Sequence, residues 1–288
     1  MAESPSHRFG QVVGNLLEEI LLPELLEFCT ERNLYLDRHG ERQKVRKGKK
    51  VSWEDKYGNS HDLDFVIEKD GSEKVRGRPV AFIEAAWRRY TKHSRAKAQE
   101  IQGAVLPIAE KHELEVPFLG AVLAGIFTQP SLDQLRSLNF QLVYLPYETI
   151  IEAFAQADID ARFDESTPDP AFRRCVDAIE ALPEQRRKKI KDHILRVNRD
   201  SFEAFFNKLR RKLDRSVDKV VVLPLFGTAL SFQTATEAAA FIQQFDRMSG
   251  AGEFKRFEVQ VAFSNADEIR GIFADEEEAI HFLRYVTA

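Results

Sequence analysis

The chain has 288 residues, 43% of them hydrophobic and 31% charged, with 14 Gly, 11 Pro and two Cys. That composition excludes collagen-like, wholly disordered and disulfide-stapled classes, and two cysteines are too few for a disulfide framework or a cysteine-based zinc site. The formal net charge of −4 argues at first sight against a nucleic-acid partner.

The total conceals segregation. Residues 38–50 hold seven Lys/Arg against the single Glu41, and residues 186–219 hold thirteen Lys/Arg against five acids. Such blocks neutralise phosphates and steer polyanions, and each also fits a solvated helix face or a mobile basic loop. The length suggests two domains with a self-sufficient core. The start, MAESPSHRFG, has no charged segment followed by an apolar core, and no apolar run approaches the roughly 20 residues that cross a bilayer. The expectation is a soluble, cytoplasmic protein with no membrane partner.

In chain order, Phe9, Val12, Val13, Leu16, Leu17, Ile20, Leu21, Leu25 and Phe28 predict an amphipathic helix over 8–32, kinked or divided at Pro23. After the basic loop come three strands: VSWED (51–55), HDLDFVIE (61–68) and RPVAFIEAAW (78–87), the last two separated by a hairpin turn at Asp70-Gly71. Ser94 caps a predicted helix to about residue 112, disrupted at Pro107. A buried strand (117–127), a helix (131–138), a strand (140–146) and a helix (148–157) follow. FDESTPDP (163–170) reads as a linker, dividing the chain into a domain over 1–162 and a second region over 171–288. That region is helical over 171–215. It ends in a small α+β module with strands at 219–226, 254–263 and 268–273 and helices at 235–246 and 276–286. No internal repeat is apparent. The order describes an α/β fold, a mixed sheet covered by helices on both faces.

The stretch 61–100 carries the chemistry. Asp64 lies mid-strand opposite Leu63, Phe65 and Ile67, and Glu84 lies in the next strand on the face of Phe82 and Ala86. Two carboxylates brought together from adjacent strands repel unless a cation separates them, and hard oxygen ligands of this kind suit Mg²⁺. Arg88, Arg89, Lys92, Arg95 and Lys97 follow at once, a phosphate-attracting rim. Asp62 reads as an exposed strand residue. Trp53 and Trp87 read as core or groove-wall aromatics.

Over roughly residues 8–160 the sequence resembles the PD-(D/E)xK nuclease superfamily, the restriction-endonuclease-like fold. The likeness rests on the element order, HDLDFVIE, the hairpin turn, and PVAFIEAAW followed by a basic helix start. It implies that Asp64 and Glu84 bind Mg²⁺ (or Mn²⁺) for phosphodiester hydrolysis, with a further acid from the first helix, Glu18 or Glu19, Glu19 being the one carried forward. The lysine expected two residues after the glutamate is replaced by Ala86, so Lys97 or Lys92 has to supply that amine. Gln99 and Glu100 lie on the same segment, placed to contact metal-bound water or hold that lysine.

The resulting expectation is an Mg²⁺-dependent DNA endonuclease of restriction or phage defence, homodimeric by family resemblance. Arg88, Arg89, Lys92, Arg46, Lys47, Lys188 and Lys189 would bind nucleic acid. The alternatives are a catalytically inactive nuclease-fold DNA-binding module, favoured by Ala86, and a regulatory subunit of a defence system held by a partner protein.

Overall fold

The computed structural model describes residues 4–225, 228–247 and 254–287, apart from the side chains of 91–94. It divides into two compact units, Met1–His112 with Pro117–Leu209, and Glu113–Val116 with Arg210–Ala288.

The first unit opens with α1 (Pro5–Glu31), whose Ser4 hydroxyl accepts the His7 N–H at its start. Pro23 neither ends nor divides it. The buried row Phe9, Val13, Leu17, Ile20 and Leu21 continues into Leu25 and Phe28 beyond the proline, so packing holds the helix together where one hydrogen bond is lost. Next come β1 (Tyr35–Arg38), β2 (Val51–Glu54), β3 (Ser60–Leu63), β4 (Phe65–Lys69), β5 (Arg78–Arg88), α2 (Thr91–Lys111), β6 (Phe118–Gly125), α3 (Gln129–Ser137), β7 (Gln141–Pro146) and α4 (Tyr147–Ala155). Then α5 (Asp169–Glu180), α6 (Glu184–Val197) and α7 (Arg199–Leu213) follow, matching the helical pattern expected over 171–215.

The main sheet runs β1-β4-β5-β6-β7. β1, β4 and β5 pair antiparallel, while β5, β6 and β7 pair parallel. One face packs Val66, Phe82, Ala86, Ala121 and Leu123 against Ala98, Ile101 and Val105 of α2 and Leu132 and Leu135 of α3. On the other, Trp87 meets Phe9 of α1. This is an α/β layer structure with helices on both faces. Among the described residues no helix is long and apolar enough to cross a membrane.

Three expectations need correction. The predicted strand 61–68 is two strands. β3 pairs with β2 in a separate two-stranded sheet, β4 joins the main sheet, and Asp64 is the joint between them. The helix predicted from Ser94 starts at Thr91 and runs through Pro107. The chain does not divide at 163–170. Phe172 of α5 packs on Phe163 and Phe9, and Phe205 of α7 lies where a Cβ on Gly120 of β6 would come within 2.7 Å of its ring. Those contacts keep α5, α6 and most of α7 in the first unit, and the boundary falls at Leu209.

A fourth correction concerns the first basic block. Arg42 is only 2% exposed, and Arg46 is buried as well. Arg42 forms a two-bond fork on Glu68 (2.6 and 2.9 Å) and reaches Asp37 at 2.9 Å, while Arg46 reaches Asp37 at 2.9 Å. Asp37 and Glu68 sit on the neighbouring strands β1 and β4 and are themselves buried. Arg46, expected on nucleic acid, is spent inside the protein because two buried carboxylates require it. Lys47, by contrast, is exposed.

The second unit contains β8 (Val217–Pro224), β9 (Leu230–Phe232), α8 (Ala235–Gln244), β10 (Phe257–Phe263), β11 (Glu268–Phe273) and α9 (Glu276–Thr287), with its sheet ordered β11-β10-β8-β9. It is a ββα motif used twice, a repeat not apparent in the sequence. Phe232, Thr234, Glu237, Ala238 and Ile242 recur at the same spacing as Phe273, Asp275, Glu278, Ala279 and Leu283. Thr234 and Asp275 each accept main-chain N–H groups at the start of their helix.

Candidate active site

The register Phe65↔Ile83 sets Asp64 beside Glu84. Each carboxylate is tied to the other's strand: Asp64 Oδ2 accepts the Ala85 N–H at 2.7 Å, and Glu84 Oε1 accepts the Asp64 N–H at 3.3 Å. The Asp64 N–H is available for this because the chain leaves the β3 ladder there. Glu84 lies on the Phe82 and Ala86 face, as expected, and is 6% exposed.

Burial first, then the Asp64 charge, pushes the Glu84 carboxyl up to about 8, against the pull of Lys97 and the Asp64 N–H. Burial also raises Asp64, opposed by the Ala85 N–H and again by Lys97. Lys97 on α2 thus acts on both carboxylates. Its side chain is 19% exposed, and its Nζ lies 3.7 Å from Glu100. Glu100 also receives Arg88 Nη2 at 3.4 Å. Ala86 is packed into the core cluster with Phe82 and Val105, and the amine that acts on the pair is on α2.

The acid contributed by α1 is Glu18. Its carboxyl is pushed up to about 7 by burial and then by Asp64 and Glu19. Glu19, the candidate ligand carried from the sequence, is exposed and lies 3.5 Å from Lys191. It lines a cavity of about 210 Å³ with Arg8, Phe154, Arg187 and Ile190. Successive helix residues project in different directions, which sets Glu18 toward the interior and leaves Glu19 exposed.

The two arginines also separate by strand alternation. Arg88 shares the parity of Glu84, with Nη1 on the Trp87 carbonyl and its side chain partly open. Arg89, expected on phosphate, stacks its guanidinium on Phe172 at 4.2 Å and on Tyr90 at 4.4 Å. It belongs to the α5 face, and its Nη1 is buried without a hydrogen-bond partner. Lys92 lies outside the described side chains. Lys188 and Lys189 are exposed on α6. Gln99 is exposed. Asp62 behaves as an exposed strand residue. It takes Lys50 at 2.7 Å and the Ser52 hydroxyl at 2.6 Å, which lower its pKa. Trp53 and Trp87 are both core.

Among the described residues no group of three or more His, Cys, Asp or Glu side chains is set to hold a metal ion. The Asp64–Glu84 pair nonetheless fits one. Its donors are hard oxygens, their charged forms repel in a buried setting, and Mg²⁺ is usually held by one or two carboxylates with water and phosphate completing its shell.

No family model and no curated protein matches the chain. Among solved structures, that of a protein of unknown function, AF1548, is similar over 67% of this chain and 99% of its own, at 13% identity and a TM-score of 0.30. A superposition that loose carries no argument about function.

Proposed function

We propose that the chain is a divalent-metal-dependent DNA endonuclease of the restriction-endonuclease-like type, acting in restriction or phage defence. What carries this reading is the pairing of half-buried Asp64 with buried Glu84, each held by the backbone at the other, with Lys97 acting on both carboxylates. A second, non-catalytic reading draws on Ala86, and the Lys97 amine beside the pair weighs against it.

Asp64 and Glu84 would hold Mg²⁺ or Mn²⁺, with Glu18 on the α1 side. The ion would polarise a phosphoryl oxygen and lower the pKa of bound water. The main-chain bonds from Ala85 and Asp64 fix both carboxylates before any ligand arrives, so little reorganisation is needed on binding. Lys97 Nζ orients the attacking water and offsets the charge that builds on the phosphoryl oxygens. Glu100 holds Lys97 and Arg88 on the same side, and Arg88 offers its guanidinium to the adjoining phosphate. Homodimerisation, which duplex cleavage by such sites favours, belongs to the same proposal.

The test is incubation with a broad DNA panel and Mg²⁺. Glu84→Ala lowers cleavage by at least about 10³-fold, the several kcal/mol that metal charge stabilisation supplies. Lys97→Ala lowers it by roughly 10²–10⁴-fold. Equal activity in wild type and Glu84→Ala, or none in either, removes the catalytic reading.

A further inference from the structure

The loop between β1 and β2 looks in sequence like a mobile basic segment, yet it is fastened at two points. Arg42 donates to the carbonyls of Ser72 (2.7 Å) and Val75 (2.8 Å) in addition to Glu68 and Asp37. Arg46 donates to the carbonyls of Arg38 (2.8 Å), Gly40 (2.7 Å) and Gly48 (2.9 Å) in addition to Asp37. The Gly40 N–H closes the base of the loop on the Lys49 carbonyl at 2.8 Å. Two buried guanidiniums thus do for this loop what a ladder does for a strand.

Three of the loop's other cations are open to solvent. Lys44, Lys47 and Lys49 are exposed, and no described residue pairs with them. The loop's far end enters the site. Lys50 immediately precedes Val51, Val51 pairs with Leu63, and Asp64 is next in the chain. A basic loop that leads by strand register to the residue before Asp64, and is held in place by buried ion pairs, has a cost that an ordinary solvated loop does not incur.

The geometry points to a preformed phosphate rail. Lys44, Lys47 and Lys49 receive the backbone of the nucleic acid whose scissile phosphate lies at Asp64 and Glu84, and Arg42 and Arg46 are positioning residues that hold the rail in shape without touching the ligand. This rests on the nuclease reading for its choice of polyanion. Three exposed lysines spaced along one fastened loop suit a ligand with regularly repeated charge better than a compact anion.

Binding and cleavage separate the two claims. Anisotropy of a labelled DNA duplex is measured in EDTA across a salt series, so that no cleavage occurs. For duplex DNA the slope of log affinity against log salt changes by about 0.9 for each phosphate contact. Lys44→Gln, Lys47→Gln and Lys49→Gln combined should flatten it by roughly 2.7. These side chains are exposed, so the fold is retained. Arg46→Gln should weaken binding with the slope unchanged, since it loosens the rail and removes no contact. Should that variant fail to fold, Arg46→Lys carries the same test. An unchanged slope in the triple variant, or no duplex binding by the wild type, overturns the rail. A slope that falls by about 0.9 in the Arg46 variant overturns its positioning role. Cleavage in Mg²⁺ is scored separately. Cleavage with an unaltered slope leaves the catalytic reading standing alone, and a flattened slope without cleavage leaves the rail standing alone.

Discussion

Strand β4 ends in two different ways. Toward its C-terminal end Glu68, with Asp37 of β1, meets two guanidiniums, and both carboxylates have their counter-charges inside the protein. Before its first residue Asp64, with Glu84 of β5, meets one lysine amine that it shares with Glu100, and both carboxyls are pushed upward by burial. The first pair is a finished structural element. The second has one amine for two carboxyls, so both cannot be charged together without a further cation, as the proposed metal would supply. Three of these four acids lie in strands and the fourth, Asp64, at a strand joint, so position in the sheet alone does not separate structure from function. The sum of nearby charge does.

The largest expected effect breaks the finished pair. Arg42→Ala leaves Glu68 buried and unpaired, and should cost about 3–5 kcal/mol, lowering Tm by on the order of 10 °C in a chemical or thermal melt. Glu84→Gln should go the other way at alkaline pH, stabilising the metal-free protein while abolishing cleavage.

A pH series sharpens the contrast. Glu84 carries its proton to about pH 8 in the folded chain, against an ordinary value of 4.5, and Glu18 to about 7. A carboxyl raised on folding contributes stability that is complete below its unfolded pKa and is lost as pH rises through the folded value. The metal-free protein should therefore lose stability between about pH 4.5 and 8, and Glu84→Gln should flatten that slope. Mg²⁺ should restore the loss at pH 8, by about 2.7 kcal/mol at a hundredfold excess over its Kd, and should do little at pH 5, where the carboxyls are protonated. A Tm that Mg²⁺ leaves unmoved at pH 8 contradicts the metal site. The smallest effect is at Asp62, whose partners Lys50 and Ser52 lie at the surface. Asp62→Asn should change stability by no more than about 0.5 kcal/mol.

The legible parts were those with a strong local pattern. β5 and β6 announce themselves as apolar runs, and within them Glu84 stands out because a carboxylate there is expensive. Asp64 was found for the same reason, though not the joint it occupies, since the hydrophobic alternation continues unbroken from Leu63 to Phe65 across two sheets. β1 escaped notice as four residues with two charges. Arg42 and Arg46 were hidden among lysines, because a charge run reads as surface, and Glu68, which Arg42 meets, is distant in sequence. Lys97 could be named only as one of two amines, and Glu18 only as one of two acids, because both choices depend on how a helix is rotated about its axis. The ββα repeat rests on a handful of shared positions and becomes visible only as paired strands.

The joint at Asp64 also governs which changes in chain length the site can absorb. β2 and β3 form a two-stranded sheet of their own, and their turn is tied off locally by Asp55, which accepts the N–H groups of Tyr57 and Asn59. An added or deleted pair of residues at that turn is taken up within the hairpin, while the pairing of β4 with β5 that aligns Asp64 and Glu84 stays as it is. The tip of the hairpin can therefore vary in length while Val51, Trp53 and Leu63 stay packed in the core and the chemistry beneath keeps its alignment.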